Sequence, residues 1–359
     1  MIPLHQRTLD ARVWLSDARN LKRIVLPSAL AFIVLLVVFW IFWWPNIFSD
    51  PSQRIVTISR GTSFSAVIDS LDAQGMIHSK IAMKVAGRIL GWSKELKVGR
   101  YYFNSGVSNY SMLRDFKDGT SRRMIAVSIP EGVRMRTIAR RFGSELGVDS
   151  ARIMYYCTDS AEVQSFGLEG RTLEGYLLPD TYLFQWQTDE REIVERLVES
   201  FKDFYRDSLV ERQEELGMTM AQLLAFASIV EGEAQLDSER TIIAGVYHNR
   251  LKKRMRLEAD PTIQYVLNDG PRRLLYRDLK IESPYNTYLY YGLPPGPINN
   301  PGRAAILAGL YPAKHQYLFF VADGKGGHVF SRSYSDHQRA VRTYRRVRRE
   351  MQRAAGLGG

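Results

Sequence analysis

Two glutamates, Glu231 and Glu233, close an apolar run with a single glycine between them. Carboxylates are seldom placed among apolar residues unless they are paired or take part in chemistry. On a helix, residues two apart point about 200° away from each other, so these side chains cannot share a face. The projection places Glu233 between Phe226 and Ile229. It places Glu231 closer to Ser228.

The more apolar surroundings favour Glu233 over Glu231 as a general acid. Desolvation raises the pKa of a carboxyl group, and a raised pKa is what a general acid needs at neutral pH. The projection holds only if the helix continues through Gly232. In a competing interpretation, both glutamates are helix-end carboxylates paired with Arg240 or Arg250.

Downstream segments supply what a sugar-binding site needs. Residues 285–302, "YNTYLYYGLPPGPINNPG", hold tyrosines and amides in a proline-stiffened loop. Aromatic faces pack on sugar rings, although about half of these tyrosines fit equally well in a core. Residues 258–265, "EADPTIQY", add Asp260 and Gln264. A conventional glycosidase needs a second carboxylate, and the candidates are Asp260, Glu174, Asp180 and Glu239.

Other chemistries lack their motifs. The six histidines show neither H-x-x-x-H nor H-E-x-x-H spacing, which argues against a zinc hydrolase. No G-x-S-x-G elbow, phosphate loop or dinucleotide fingerprint is present. Cys157 is the single cysteine, so an intramolecular disulfide and a cysteine-based metal site are excluded. We predict no metal and no cofactor, and we expect Cys157 to be a buried apolar residue.

Composition indicates a folded protein whose basic charge lies at its ends. The 359 residues are 45% hydrophobic and 11% aromatic, enough for two or three domains. Of the net charge of +11, residues 1–23 carry +3 and residues 339–353 carry +6, which leaves +2 for the rest. This distribution disfavours nucleic-acid binding, which needs a basic face on the folded body.

A membrane anchor is predicted near the N-terminus. Residues 24–44 contain no charge and are long enough for a ~30 Å hydrocarbon core. Basic residues precede the run and tryptophans end it: Arg19, Lys22, Arg23, Trp40, Trp43 and Trp44. We expect residues 1–23 in the cytoplasm, an uncleaved single-pass anchor, a linker over 45–53, and the remaining chain on the outer, periplasmic side of the cytoplasmic (inner) membrane.

A pattern V-x-I-x-x-G occurs at residues 56–61 and again at 127–132. Each copy predicts a strand, a glycine turn and a helix. Residues 54–125 are predicted to form a small α/β module similar to LysM glycan-binding modules. A mixed α/β spacer that lifts the rest of the chain from the bilayer is an equal alternative.

The later part is predicted to be a mixed α+β catalytic domain over residues 126–338. We expect a helix or helix pair over 191–217, helices over 218–233 and 239–252, and a hairpin over 316–331. Residues 339–359 are predicted to form a basic helix or tail. Its arginines are either a solvated face or an attraction for anionic lipid head groups or an acidic wall polymer.

Several motifs occur together in one order over roughly 160 residues: "LEGYLLPDTY", "ASIVEGEA", "HNRL", "MRLEADPTIQY", "SPYNTY", "GLPPGPINNPG" and "YLFFVADGKGGHVFS". Their order and wording resemble the YceG-like endolytic murein transglycosylases, inner-membrane proteins of bacteria that cut nascent peptidoglycan strands. The N-terminal anchor and the LysM-like module fit the same family.

The resemblance implies a lytic cleavage without a metal or a second protein carboxylate. One glutamate, the second of E-x-E and therefore Glu233 here, protonates the glycosidic oxygen after a MurNAc residue. The substrate's N-acetyl group stabilises the positive centre, and the same glutamate helps the 6-hydroxyl to close a 1,6-anhydro ring. Glycan-polymerising penicillin-binding proteins are implied partners. Substrate contact or support is assigned to Glu231, Asp260, Gln264, Asn286 and Tyr288.

The sequence departs from the family pattern at Gly232, where a charged or polar residue is expected, and at Tyr311, where a small or polar one is expected. Its arginine-rich tail is also heavier. Two other functions stay open. One is a hydrolytic muramidase that uses Glu233 with a carboxylate such as Asp260. The other is a non-catalytic scaffold that binds the cell wall.

Overall fold

The computed structural model describes residues 18–48, 54–168, 170–267 and 272–354, with only the backbone for 18–24 and 352–354. These residues form two compact units. The first contains the described residues up to Met124 together with 185–187, and the second contains 125–184 and the described residues from 188 onward. Helices and short antiparallel strand pairs occur in both, so the predicted mixture of helix and sheet is confirmed.

The first unit begins with a long apolar helix. Its elements are α1 (Ala18–Phe42), β1 (Pro45–Asn46), β2 (Arg54–Ile58), α2 (Phe64–Ala73), α3 (Lys80–Ile89), a 3₁₀ turn (Trp92–Lys94), β3 (Gly99–Phe103), β4 (Val107–Ser108) and α4 (Asn109–Asp118). Within α1, Val25–Phe42 has a mean hydropathy of 2.8 and only 6% of it is buried. By length and composition this segment is able to cross a membrane.

The rest of the first unit is built around a strand–helix–helix–strand arrangement. Strand β2 pairs with β3 in antiparallel register, from Arg54 opposite Phe103 to Ile58 opposite Gly99. Ser63 and Ser79 accept hydrogen bonds from backbone amides of α2 and α3, which is how serine caps a helix N-terminus. Apolar side chains of both helices and both strands form one core.

The second unit carries both glutamates. Its elements are β5 (Ile125–Ser128), α5 (Met135–Leu146), α6 (Ser150–Thr158), α7 (Ser160–Ser165), β6 (Thr181–Phe184), α8 (Glu190–Phe204), α9 (Ser208–Glu215), α10 (Met220–Glu233), α11 (Asp237–Lys252), α12 (Asp260–Val266), a 3₁₀ turn (Asp278–Lys280), α13 (Arg303–Leu310), β7 (Phe319–Ala322), β8 (His328–Ser331) and α14 (Tyr334–Ala354). The predicted helix pair and hairpin are present, and the predicted basic helix is present up to Ala354, with residues 355–359 lying outside the described residues.

The two copies of V-x-I-x-x-G adopt the same local structure. Gly61 follows β2 with a φ of +79°, and Gly132 follows β5 with a φ of +72°. That left-handed conformation is costly for residues with a Cβ atom. In each copy a helix begins three residues after the glycine. The strand before the glycine pairs with a later strand of the same unit, β2 with β3 and β5 with β6.

Helix α10 forms the centre of the second unit. Thr219 and Gln222 form a reciprocal capping box at its start, which satisfies two free backbone amides. Residues 223–230 are all buried, as in a helix that is enclosed on every side. It packs against α13, α11 and α12. The helix continues through Gly232 and ends at Glu233, so the condition on which the projection depended is met.

Candidate active site

The two glutamates of the last turn of α10 point to different partners. Glu231 accepts a hydrogen bond from the Gly302 backbone amide at 2.9 Å and pairs with Arg240 at 3.5 Å. Glu233 accepts one from the Tyr247 hydroxyl at 2.9 Å. The interpretation of a paired helix-end carboxylate therefore applies to Glu231. Glu231 fastens the start of α13 to α10, and Glu233 is left facing a cleft.

Gly232 allows α10 and α12 to approach closely between the two glutamates. A Cβ atom at this position would lie 2.6 Å from Cβ and 2.8 Å from Cγ of Pro261. Pro261 stands in the first turn of α12, where its missing amide and fixed φ are favourable. The departure from the family pattern at Gly232 thus has a steric reason in this chain, and it does not break the helix.

The pKa of Glu233 is raised to about 7, chiefly by burial, and the charge of Asp260 acts in the same direction. The Tyr247 hydroxyl, the Asp260 backbone amide and the charge of Arg250 act in the opposite direction. Tyr247 is itself 2% exposed. Glu233 is partly exposed, so its carboxyl is both desolvated and accessible, and it is protonated in about half of the molecules near neutral pH.

Asp260 begins α12 beside Glu233. Its Oδ1 accepts a hydrogen bond of 2.6 Å from the Tyr288 hydroxyl. The preceding backbone amide, of Ala259, donates to the Thr287 hydroxyl at 3.0 Å. An acidic residue is favourable in the first turn of a helix because it faces the positive end of the dipole. Asp260 and Tyr288, both predicted as supporting residues, are therefore adjacent to Glu233.

Two cavities meet at these carboxylates. The first, of about 290 Å³, is lined by Gly132, Arg134, Gly232, Glu233, Asp260, Pro261, Gln264, Ile298 and Asn299. The second, of about 250 Å³, is lined by Glu233, Tyr247, Arg250, Leu257, Glu258, Asp260, Tyr288, Phe320 and His337. Because Glu233 and Asp260 belong to both, we call the pair of cavities the catalytic cleft.

The segment 298–302 is fastened to α10 by hydrogen bonds that each join a backbone group to a side chain. The Ile298 amide donates to the Ser228 hydroxyl at 3.0 Å, and the Asn299 side chain donates to the Ser228 carbonyl at 2.9 Å. With the Gly302 contact to Glu231, this positions one wall of the first cavity. The asparagines of the predicted sugar-binding loop therefore reach the cleft through Asn299.

Arginines stand in both cavities. Arg134 donates to the Gln264 carbonyl at 2.5 Å and lies 4.7 Å above the Tyr265 ring. Arg250 donates to the carbonyls of Leu318 and Leu257 at 2.7 and 2.8 Å. The sequence prediction did not place Arg134, Tyr247 or Asn299 in the site. Two of them could have been found from the motifs, because Tyr247 directly precedes "HNRL" and Asn299 lies in "GLPPGPINNPG". No sequence motif pointed to Arg134.

Gln264 and Asn286 are engaged by the protein backbone. Gln264 lines the first cavity, yet its amide donates to the Arg272 carbonyl at 2.5 Å and accepts from the Arg272 amide at 3.1 Å. Asn286 is fully buried and donates to the carbonyls of Leu279 and Ile281 at 3.1 and 2.8 Å. Both side chains therefore support loops, and Asn286 does not line either cavity.

Of the four candidate second carboxylates, Asp260 alone shares the cleft with Glu233. Glu174 is buried, which raises its pKa to about 7, and it accepts from the Asn300 side chain at 2.8 Å. Asp180 pairs with Arg303 at 2.9 Å, beside a larger cavity of about 600 Å³ that contains neither glutamate of α10. Glu239 binds His328 at 2.6 Å.

Neither a metal cluster nor a reactive thiol accompanies this site. Among the described residues, no group of three or more histidine, cysteine, aspartate or glutamate side chains is placed to hold a metal ion. Cys157 is completely buried, and burial raises its pKa to about 12. The sulfur is therefore a small apolar core group, as predicted from its being the single cysteine.

Comparison with known proteins confirms the resemblance seen in the motifs. An endolytic murein transglycosylase of Bacillus subtilis (strain 168) is 30% identical over 307 residues, which are 80% of this chain and 84% of that protein. One from Streptococcus pneumoniae (strain ATCC BAA-255 / R6) is 27% identical over 327 residues, 81% of this chain, and the chain spans only 58% of that relative.

A solved structure and a family model agree with these relatives. A crystal structure of a YceG-like protein from Listeria monocytogenes matches with a TM-score of 0.59 at 28% identity, covering 81% of this chain and 99% of that one. The model of the YceG-like family matches residues 56–343, which include every residue of the catalytic cleft. This chain belongs to the YceG-like family.

Proposed function

We propose that this chain is an endolytic lytic transglycosylase of peptidoglycan with Glu233 as its general acid and base. The observation that carries the proposal is one partly exposed carboxyl, with its pKa raised to about 7, at the junction of two cavities. A group that must first donate and then accept a proton works best when its pKa lies near the operating pH. The names of the relatives supply the substrate class.

The reaction proceeds in two proton transfers. Protonated Glu233 donates to the oxygen that links MurNAc C1 to the next sugar; the C1–O bond breaks and its electron pair stays on the leaving oxygen. The carbonyl oxygen of the same sugar's N-acetyl group stabilises C1. Glu233, now a carboxylate, takes the proton of the 6-hydroxyl as O6 bonds to C1. No water is consumed, so the product has a 1,6-anhydro end, one of the substrate-assisted exceptions to the two-carboxylate scheme.

Analysis of the cut glycan tests this mechanism. We expect mass spectrometry of digested strands to show ends one water lighter than hydrolysed ends. Asp260 lies beside Glu233 and is the group that a hydrolytic muramidase would use as its second carboxylate. Reducing ends alone would establish that hydrolytic reaction and contradict the lytic one. Release of no fragment would leave the chain as a non-catalytic wall-binding scaffold.

The pH dependence of the rate follows from the groups around Glu233. Those that face it are Tyr247, Arg250, Asp260, Tyr288, Glu258 and His337. Because the first step needs a protonated carboxyl, activity falls as pH rises through the Glu233 pKa of about 7. Tyr247→Phe removes a hydrogen bond to the charged form and moves this fall to higher pH. Asp260→Asn removes a negative neighbour and moves it to lower pH.

The diagnostic result is that the two substitutions shift the pH profile in opposite directions. kcat/KM is measured against pH for both variants and for Tyr290→Phe, an exposed tyrosine outside the cleft, which should leave the profile unchanged. Shifts in the same direction for Tyr247→Phe and Asp260→Asn would show that Glu233 does not control this limb.

Three further assignments complete the proposal. The βααβ arrangement of the first unit supports a LysM-like glycan-binding role, with a spacer as the alternative. The exposed apolar surface of α1 supports a single-pass anchor in the cytoplasmic (inner) membrane with the second unit on its outer, periplasmic side. Penicillin-binding proteins that polymerise glycan are the proposed partners. The exposed arginines of α14 supply charge for anionic lipid or wall polymer.

A further inference from the structure

A further cavity lies near the catalytic cleft, and we call it the accessory cavity. It has a volume of about 470 Å³ and is lined by Leu251, Arg254, Met255, Tyr291 and Gly292. Neither Glu233 nor Asp260 belongs to it, so it takes no part in the proton transfers described above.

The accessory cavity adjoins the second cavity of the cleft. Two chain segments contribute to both cavities. Residues 250–257 give Arg250 and Leu257 to the second cavity and Leu251 and Met255 to the accessory cavity, and residues 288–291 give Tyr288 to the second cavity and Tyr291 to the accessory cavity. These near neighbours in sequence place the two spaces close together. A polymer that leaves the cleft on this side therefore passes the accessory cavity.

Tyr291 gives the accessory cavity an aromatic surface that is open to a ligand. Its side chain is 66% exposed, unlike the tyrosines of the cleft. The guanidinium carbon of Arg256 lies 5.0 Å from the ring centroid, which holds the ring by a cation–π contact. Tyr291 lines the cavity, whereas Arg256 does not. A rigid aromatic face of this kind packs on the C–H face of a sugar ring.

The chain around Arg254, which lines the accessory cavity, is strongly basic. Four exposed cations, Lys252, Lys253, Arg254 and Arg256, lie within five residues. In the part of the chain that the structure describes, none of them has an ion-pair partner. Their charge is therefore free to attract carboxylates, such as those on the peptide substituents of murein.

The segment that separates the two cavities is held in an unusual conformation. Arg254 and Glu258 both have left-handed backbones, with φ of +52° and +51°. Residues with a Cβ atom seldom adopt this region, and such strain concentrates at functional sites. The surroundings maintain it: the Arg254 amide donates to the Leu251 carbonyl and the Glu258 amide to the Thr287 carbonyl, both at 3.1 Å.

We propose that the accessory cavity is a remote subsite for the glycan strand, in which a sugar packs on Tyr291 while the carboxylates of its peptide substituents meet Arg254 and its basic neighbours. The inference rests on the proposed function for its substrate class. Such a subsite lets the enzyme hold a long strand by contacts outside the cleft, so that the bond at Glu233 lies within the strand and not at its end.

Binding to an inactive full-length chain tests this subsite separately from catalysis. With Glu233→Gln as the parent, Kd is measured for long uncrosslinked peptidoglycan strands that carry peptides and for a fragment of two disaccharides. We expect Tyr291→Ala to weaken binding of the long strands about tenfold, which corresponds to about 1.4 kcal/mol. Binding of the short fragment, which the cleft alone accommodates, should change little. The matched control is Tyr276→Ala, which removes a tyrosine that is 85% exposed and lines none of these cavities.

The outcomes separate this inference from the proposed function. Unchanged binding of long strands by Tyr291→Ala, or equal loss for long and short ligands, overturns the subsite and leaves the catalytic role of Glu233 standing. Failure of the wild-type chain to cleave glycan refutes the proposed function, whatever Tyr291 does. Arg254→Ala adds a second check: it should weaken binding of peptide-bearing strands more than strands stripped of peptide, and equal effects would contradict the charge assignment.

Discussion

Glu233→Gln is expected to reduce glycan cleavage by about 10²- to 10⁴-fold, the range in which a positioned acid–base group contributes to a rate. Glutamine keeps the size of the side chain and an oxygen that accepts from Tyr247, but it cannot donate a proton to the glycosidic oxygen or take one from the 6-hydroxyl. The rate is measured on purified strands. A matched control is Glu214→Gln on the exposed face of α9, which should leave the rate unchanged. Glu231→Gln, in the same turn of α10 as Glu233, measures the effect of removing a supporting carboxylate that takes no part in the proton transfers.

Stability measurements on the same variant report whether Glu233 has the raised pKa. In the unfolded chain a glutamate ionises near pH 4.3, whereas in the folded chain the pKa of Glu233 is about 7. The folded state therefore binds the proton more tightly than the unfolded state. As pH rises from about 4.3 to 7, ionisation of Glu233 progressively lowers the free energy of unfolding of the parent. Unfolding free energies of the parent and of Glu233→Gln should diverge across that window by at most about 4 kcal/mol. Parallel curves would contradict the raised pKa.

Gly232→Ala is the second large effect that we expect, although it removes no functional group. A methyl group at this position would lie 2.6 Å from Cβ of Pro261, so α12 must move away from α10. Asp260, the residue before Pro261, moves with it and the two halves of the cleft separate. Misplacement by about 1 Å costs an enzyme up to about 10²-fold in rate. The loss should appear in kcat more than in thermal stability.

Gly143→Ala provides the matched control for this substitution. Gly143 also lies within a helix, α5, and a Cβ atom there makes ordinary contacts of 3.4 Å with Ser150 Cβ and the Val148 carbonyl oxygen. Alanine has the higher helix propensity, so this variant should be at least as stable as the parent and fully active. Activity of Gly232→Ala within a fewfold of the parent would show that the contact with Pro261 yields without disturbing the cleft.

The local features of the site were predictable from sequence because they depend on periodicity alone. That Glu231 and Glu233 face different partners follows from their separation on a helix, and the strand–turn–helix units follow from alternation and glycine placement. Continuity of α10 through Gly232 was not predictable, because glycine has a low helix propensity and the close approach of Pro261 at this position is visible only in the folded structure. Nor was the role of Tyr247, since the docking of α11 on α10 decides whether its tyrosine reaches Glu233.

The same distinction applies to the predicted substrate contacts. Asn286 and Gln264 are polar residues in a motif that suits sugar binding, and their types gave no indication that backbone groups occupy their amides. Only the folded loops show that Asn286 is buried and that Gln264 holds the Arg272 backbone. Asp260, by contrast, stands in the cleft because α12 begins beside the end of α10, and Tyr288 lies there with its hydroxyl bonded to Asp260.

The buried state of Cys157 makes this chain well suited to site-specific labelling. It is the single cysteine, and with its pKa raised to about 12 the native thiol stays protonated and shielded from alkylating dyes. A cysteine introduced at an exposed position, such as Tyr276→Cys on the surface, would therefore be the sole reactive thiol. Fluorescent or spin probes attached there would report glycan binding by the intact enzyme without first removing a native residue.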